Sequence, residues 1–184
     1  MDCPNCKSGM LDNPAPAESF KWSVLGDGTV RIDEYEGDDE KVVIPSQIDG
    51  KSVTVIGDNS FQFSEITSIT IPDSVTAIGA CAFASCPLLT SINLPDSVTE
   101  IGEMAFLDCT SLISINIPDS VTLISGCAFA GCTSLTLINI PESVTKICDS
   151  AFTNCTSLTS ITVSGSVKIV RGAFNGTPLE DKFK

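Results

Sequence analysis

The sequence predicts a solenoid, mainly β, in which short coils stack in parallel, and three observations predict it. An apolar position returns every 23 residues as Ile71, Leu94, Ile117, Ile140 and Val163, followed by proline at Pro72, Pro95, Pro118 and Pro141. Further columns keep the same phase: Phe83, Phe106, Phe129 and Phe152; Cys86, Cys109, Cys132 and Cys155; Val75, Val98, Val121, Val144 and Val167. Between them the residues alternate apolar and polar in short runs. A unit this small cannot cover its own apolar face, so each copy must be covered by the next.

Residues 1–19 read as a flexible leader, because Pro, Ala, Ser and charged residues follow a Cys3-Pro4-Asn5-Cys6 knuckle with no apolar period. Residues 20–41 read as a β-hairpin cap. Phe20–Leu25 and Thr29–Tyr35 alternate on either side of Gly26-Asp27-Gly28, and a hairpin there closes the end of the stacked core. Repeats then occupy 42–177. The first is irregular, with Val42-Val43-Ile44-Pro45, a loop from Ser46 to Ser52 and Val53–Gly57, before Phe61 restores the phase.

A regular coil holds two short extended segments. In the first, Leu112, Ile115 and Ile117 face the core while Ser114 and Asn116 point out; Pro118-Asp119-Ser120 makes a tight turn. In the second, Val121 and Ile124 point in, and Ala128-Phe129 carries the chain round the far side, which is read as irregular or briefly helical. The last coil decays, with no Cys following Ala173-Phe174 and no proline after Val163. Residues 178–184 read as a tail with two outcomes open, Leu179 and Phe183 folding back over that coil or the polar, charged segment fraying.

These residues resemble the BspA-like leucine-rich repeats, whose form is Leu-x-x-Ile-x-Leu-Pro, then Val-x-x-Ile-Gly, then Ala-Phe-x-x-Cys. The resemblance is densest at Leu89–Cys109, Leu112–Cys132 and Leu135–Cys155. It implies a curved solenoid with a parallel sheet on its concave side, and a setting in bacterial surface proteins and adhesins; it implies no chemistry. The Asn that satisfies backbone groups in ordinary leucine-rich repeats has no clear counterpart here, and Ser74, Ser97, Ser120 and Ser143 lie near its place. A right-handed β-helix also stacks coils of this length, but the Phe and Cys columns favour the leucine-rich form.

The 184-residue chain is 42% hydrophobic and carries a net charge of −13. Between Lys51 and Lys146 there is no Lys or Arg, against nine acidic residues. Such a surface repels phosphate backbones and anionic headgroups, so nucleic acid and membrane surfaces are poor partners. The acidic run Asp33, Glu34, Glu36, Asp38, Asp39, Glu40 reads as a solvated loop face, with recruitment of a cation or a basic partner as the functional alternative. No apolar segment is long enough to span a bilayer, and the first 30 residues lack the pattern of a signal peptide, so with Met1 as the native start the cytoplasm is the expected compartment, with the cell surface as the alternative by resemblance. A cysteine column with parallel side-chain vectors suits free buried thiols better than disulfides, in keeping with a reducing compartment.

The absence of histidine removes Ser-His-Asp and Cys-His nucleophiles and His-based metal sites. Asp73, Asp96, Asp119 and Glu142 follow a proline in each coil and read as turn residues, with weak calcium binding as the functional alternative. Cys3 and Cys6 match the first knuckle of a zinc ribbon without the second, leaving a truncated ribbon, zinc shared between two chains, or a redox dithiol. Asn154-Cys155-Thr156 and Asn175-Gly176-Thr177 fit the glycosylation pattern by coincidence.

What is left is the outward face of the first segments, carrying Ser91, Asn93, Ser114, Asn116, Asn139 and Ser160. Placed on the concave side, these offer donors and acceptors to a protein or glycan, although such ladders also bond to themselves. The expected function is therefore a non-enzymatic protein-binding or surface-adhesion module without a cofactor, the alternative being a zinc-linked structural or assembly protein. The sequence names neither the partner nor the oligomeric state.

Phe106→Ala or Phe129→Ala is expected to cost about 3–5 kcal/mol in chemical denaturation, as large aromatic deletions in cores do. On this reading Asn116→Ala costs almost nothing.

Overall fold

Two extended segments per coil pair with their copies one repeat away and so build two parallel ladders. The structure is a computed structural model that describes residues 13–163 and 165–183. In chain order its strands are β1 (Phe20–Val24), β2 (Val30–Tyr35), β3 (Lys41–Val43), β4 (Gln47–Ile48), β5 (Lys51–Ile56), β6 (Ser68–Thr70), β7 (Ala77–Ile78) and β8 (Ser91–Asn93). They continue as β9 (Glu100–Ile101), β10 (Ser114–Ile115), β11 (Leu123–Ile124), β12 (Leu137–Asn139), β13 (Lys146–Ile147), β14 (Ser160–Thr162) and β15 (Lys168–Ile169).

The first-strand ladder runs β3, β6, β8, β10, then β12 and β14, with Ser68 level with Ser91, Ser91 with Ser114, and Leu137 with Ser160. The second-strand ladder runs β2, β5, β7, β9, then β11, β13 and β15, with Ile56, Ile78 and Ile101 in register. A slip of one residue in either would turn every apolar side chain outward, so the burial pattern itself fixes the register.

The remaining side of each coil is neither strand nor helix. Here alternate N–H groups donate to the next coil: Cys81, Phe83 and Ser85 to Glu103, Ala105 and Leu107. Met104, Phe106 and Asp108 likewise donate to Gly126, Ala128 and Ala130. The chain achieves this by entering the left-handed region twice per coil, at Cys81 (φ 53°) and Ser85 (57°), Met104 and Asp108 (both 56°), Cys127 (53°) and Gly131 (73°). Coils are thus hydrogen-bonded to their neighbours on three sides.

Inside, Phe61, Phe83, Phe106, Phe129, Phe152 and Phe174 form one stack with ring centroids 5.2–5.4 Å apart. From Phe83 to Phe152 adjacent rings lie within 7° of parallel. Tyr35 continues the stack above Phe61 at 5.2 Å, and Phe183 continues it below Phe174 at 4.6 Å. Both ends are therefore closed by the motif that fills the middle. Stacked pairs of this kind add roughly 0.5–1.5 kcal/mol each beyond their buried area.

Polar side chains tie one coil to the backbone of the one before it. Each buried thiol donates to a phenylalanine carbonyl: Cys86 to Phe61, Cys109 to Phe83, Cys132 to Phe106 and Cys155 to Phe129, at 3.0–3.1 Å. Ser74, Ser97, Ser120 and Ser143 donate to Val53, Val75, Val98 and Val121 at 2.5–2.7 Å. These serines do the backbone-satisfying work that the sequence left without an obvious asparagine.

Two elements differ from the sequence reading. The segment Ser46–Ser52 is a tight hairpin rather than a loop, β4 pairing with β5 across Asp49 (φ 49°) and Gly50 (φ 72°), the two positive φ values that a two-residue turn requires. Residues 13–19 are held to the first coil rather than loose: Ala15 N–H donates to Val43 O at 2.8 Å, and Ala17–Ser19 form a 3₁₀ turn. The far side, read from the sequence as irregular or briefly helical, is indeed irregular and built of turns, and among the described residues the only helical pieces are that 3₁₀ turn and Glu180–Lys182. Cys3 and Cys6 lie outside the described residues.

The described cysteines are all free thiols. Burial holds Cys132 well above the ordinary thiol range and pushes Cys155 up to about 12. A thiol that ionises more readily in the unfolded chain costs stability as pH rises from its unfolded value near 9 toward its folded one. Urea midpoints are therefore expected to fall between pH 9 and pH 11, less so in Cys132→Ala/Cys155→Ala than in wild type. Thiol labelling at pH 8 should spare Cys86, Cys109, Cys132 and Cys155 until unfolding.

Candidate functional site

The first-strand face follows directly from strand alternation. In β8 Ile92 is buried and Ser91 and Asn93 are exposed; in β12 Ile138 is buried and Leu137 and Asn139 are exposed. Ser114 in β10, Ser160 in β14 and the neighbouring Asn116 are exposed as well. All six residues singled out from sequence lie on this one face. Ser91, Asn93, Ser114, Asn116 and Asn139 border a shallow depression of about 590 Å³. No titratable side chain lines it. Leu137, 45% exposed, points outward from β12 on the same face.

Asn116 differs from its neighbours in the column. Its amide donates to Leu94 O at 2.9 Å and accepts from Leu94 N–H at 2.8 Å. At the matching joints Ile44 N–H donates to Thr70 O and Ile140 N–H to Thr162 O, backbone to backbone. The two-residue strand β10 stops short of this position, and the Asn116 amide replaces the missing peptide-to-peptide bond. The expectation that Asn116→Ala is free is thereby corrected.

The second-strand face holds a groove that sequence reasoning missed, again of about 590 Å³. Its floor is Gly57, Gly79 and Gly102, flanked by Arg31, Asp58, Thr99, Glu100 and Leu123. The glycines are required by close approach: a Cβ on Gly79 would sit 2.6 Å from the Gly57 carbonyl carbon, and one on Gly102 2.5 Å from that of Gly79. The Ile-Gly pairs Ile56-Gly57, Ile78-Gly79 and Ile101-Gly102 are the signal the sequence offers for it.

The carboxylates of Asp73, Asp96, Asp119 and Glu142 are exposed, one per coil, and the turns are closed by backbone bonds such as Val75 N–H to Pro72 O and Val121 N–H to Pro118 O. Among the described residues no three His, Cys, Asp or Glu side chains converge as a metal would need. No helix among them is long and apolar enough to cross a membrane.

With this geometry in place, comparison with known proteins is decisive for the family. The BspA-type leucine-rich repeat region matches in six copies over residues 54–180. The chain belongs to the BspA-type leucine-rich repeat family. Its fold is similar to that of the T. pallidum leucine-rich repeat protein TpLRR, at 36% identity and a TM-score of 0.79 over 81% of this chain and 71% of that one. It is similar also to a leucine-rich cell surface protein of Faecalibacterium prausnitzii, at 36% identity and a TM-score of 0.78 over 90% of this chain. The match covers only 47% of that longer protein. A leucine-rich repeat protein of Eubacterium ventriosum, 21% identical with a TM-score of 0.70, shares the fold. No curated protein matches the chain.

Asn116→Ala is expected to cost about 1–3 kcal/mol, the usual penalty for orphaning buried backbone groups. Asn93→Ala and Asn139→Ala should stay within about 0.5 kcal/mol, as exposed substitutions do, when the three are compared by urea denaturation.

Proposed function

We propose that this leucine-rich repeat protein is a non-enzymatic binding module whose first-strand face holds an extended polypeptide or a glycan. The observation that carries the reading is the register-matched, exposed and uncharged ladder of Ser91, Asn93, Ser114, Asn139 and Ser160 on a scaffold tied from coil to coil. Side chains held by a rigid sheet lose little freedom on binding, which favours a ligand with evenly spaced polar groups. Asn116 contributes a fixed edge rather than a free amide. The lack of histidine, and a face without carboxylate or thiol, support a role without catalysis or cofactor. The net charge of −13 speaks against nucleic acid as the ligand. The F. prausnitzii neighbour's description as a cell surface protein favours display at the cell surface, whereas the free thiols favour a reducing compartment.

A second reading, zinc-linked assembly through Cys3 and Cys6, rests on the Cys-Pro-Asn-Cys knuckle alone. Elemental analysis together with mass in solution decides it: about one zinc per two chains in a dimer supports it, and zinc-free monomer removes it.

For the principal reading, glycan-array and affinity-capture profiles of wild type are compared with those of Asn93→Ala/Leu137→Ala/Asn139→Ala, which leaves Asn116 in place. A ligand retained by wild type and weakened at least tenfold in the variant is the expected result. Equal retention by both would move the contact off this face.

A further inference from the structure

The column that enters the left-handed region at the end of each far-side turn provides an internal standard. It contains Ser85 (φ 57°), Asp108 (56°), Gly131 (73°), Asn154 (60°) and Gly176 (71°), all small or turn-forming residues. In the first coil the same position is Phe63, at φ 64°, with 70% of its surface exposed. A bulky aromatic is a poor choice there on two counts, since the left-handed region disfavours it and water gains nothing from it. Local rules broken without a compensating structural gain mark functional positions.

Phe63 forms one side of a recess of about 340 Å³, within the range of small-ligand pockets. Tyr35 lines it too, its ring stacked 5.2 Å from that of Phe61. The loop carrying Asp38 and Asp39 is fastened to Tyr35, whose hydroxyl accepts from Asp39 N–H at 3.2 Å and donates to Asp39 Oδ2 at 3.4 Å. Gly37 makes room for this arrangement, because a Cβ there would run into the Tyr35 ring. Glu65 completes the rim. No Lys or Arg lines the recess, and the ion pairs among the described residues use only Lys21 and Arg31, with Glu34, Glu36 and Asp33.

We propose that this recess takes the Lys or Arg side chain of a partner polypeptide, its aliphatic stem against Phe63 and Tyr35 and its charge among Asp38, Asp39 and Glu65. Two independent features define that ligand. Aromatic faces attract cations through their ring quadrupole and also bury methylene stems. Three carboxylates without a basic neighbour set the sign of the field and draw a basic segment toward the site. The proposal uses different residues from the first-strand face and stands whether or not that face binds a ligand.

The test is an amide-resolved NMR titration of the full chain with N-acetyl-lysine methylamide and N-acetyl-arginine methylamide, using N-acetyl-norleucine methylamide as the neutral control. Saturable shifts are expected at Gly37, Asp39, Gln62 and Phe63 with the two cationic probes and not with norleucine. Phe63→Ser adopts a side chain that Ser85 already carries in the same conformation, so the variant is expected to fold; it and Asp38→Asn/Asp39→Asn should each weaken binding at least fivefold. Equal shifts with norleucine, shifts centred on Asp73, Asp96 and Asp119, or undiminished affinity in Phe63→Ser would overturn the proposal.

Discussion

Every coil of this protein is completed by its neighbours, and that dependence governs the rest of the structure. A single 23-residue unit has a strip of Leu, Ile, Val, Phe and Cys with nothing of its own to lay against it. Phe106 is fully buried because Phe83 and Phe129 lie on its two faces, each ring 5.4 Å away. The same neighbours satisfy the backbone, through strand ladders on two sides and alternate N–H groups on the third. Packing and hydrogen bonding are thus both interactions between copies, which is why stability in such stacks behaves as a sum over joints.

The side chains that seal these joints are small and mildly polar. Cysteine in the core column fills space as a hydrophobe and donates one weak hydrogen bond to a phenylalanine carbonyl that ring packing has hidden from water. The turn serines do the same for valine carbonyls. Glycine at 57, 79 and 102 serves by omission, allowing backbones to meet where a side chain would hold them apart. The groove on the second-strand face is a by-product of that requirement, and in the next coil Ser125 takes the place of the glycine and bonds to Ile101 O.

Much of this architecture can be read in the sequence, because periodicity reports burial directly. The Phe, Cys and Val columns, the inward Ile115 and outward Ser114, and the hairpin around Asp27-Gly28 all follow from spacing and turn chemistry. The Asp49-Gly50 hairpin carried the same signal but sat inside a coil already read as irregular. Asn116 was beyond reach for another reason. Asn93, Asn116 and Asn139 are identical in pattern, and only the early end of β10 sends one of their amides to the Leu94 backbone. Phe63 was equally hidden, since its oddity is a matter of backbone conformation and emerges only when the coils are superimposed on one another.

The backbone-to-backbone hydrogen bonds of the third side all run one way, from each coil's N–H groups to the carbonyls of the coil that follows. Their peptide dipoles are accordingly aligned head to tail along the stacking axis, as in a helix but spread over separate turns of chain. The assembly has a built-in polarity, donors at one extremity and acceptors at the other. Two such columns brought together by like extremities would set donor against donor or acceptor against acceptor on this side, so a continuous join is possible only in the sense in which the chain itself is wound.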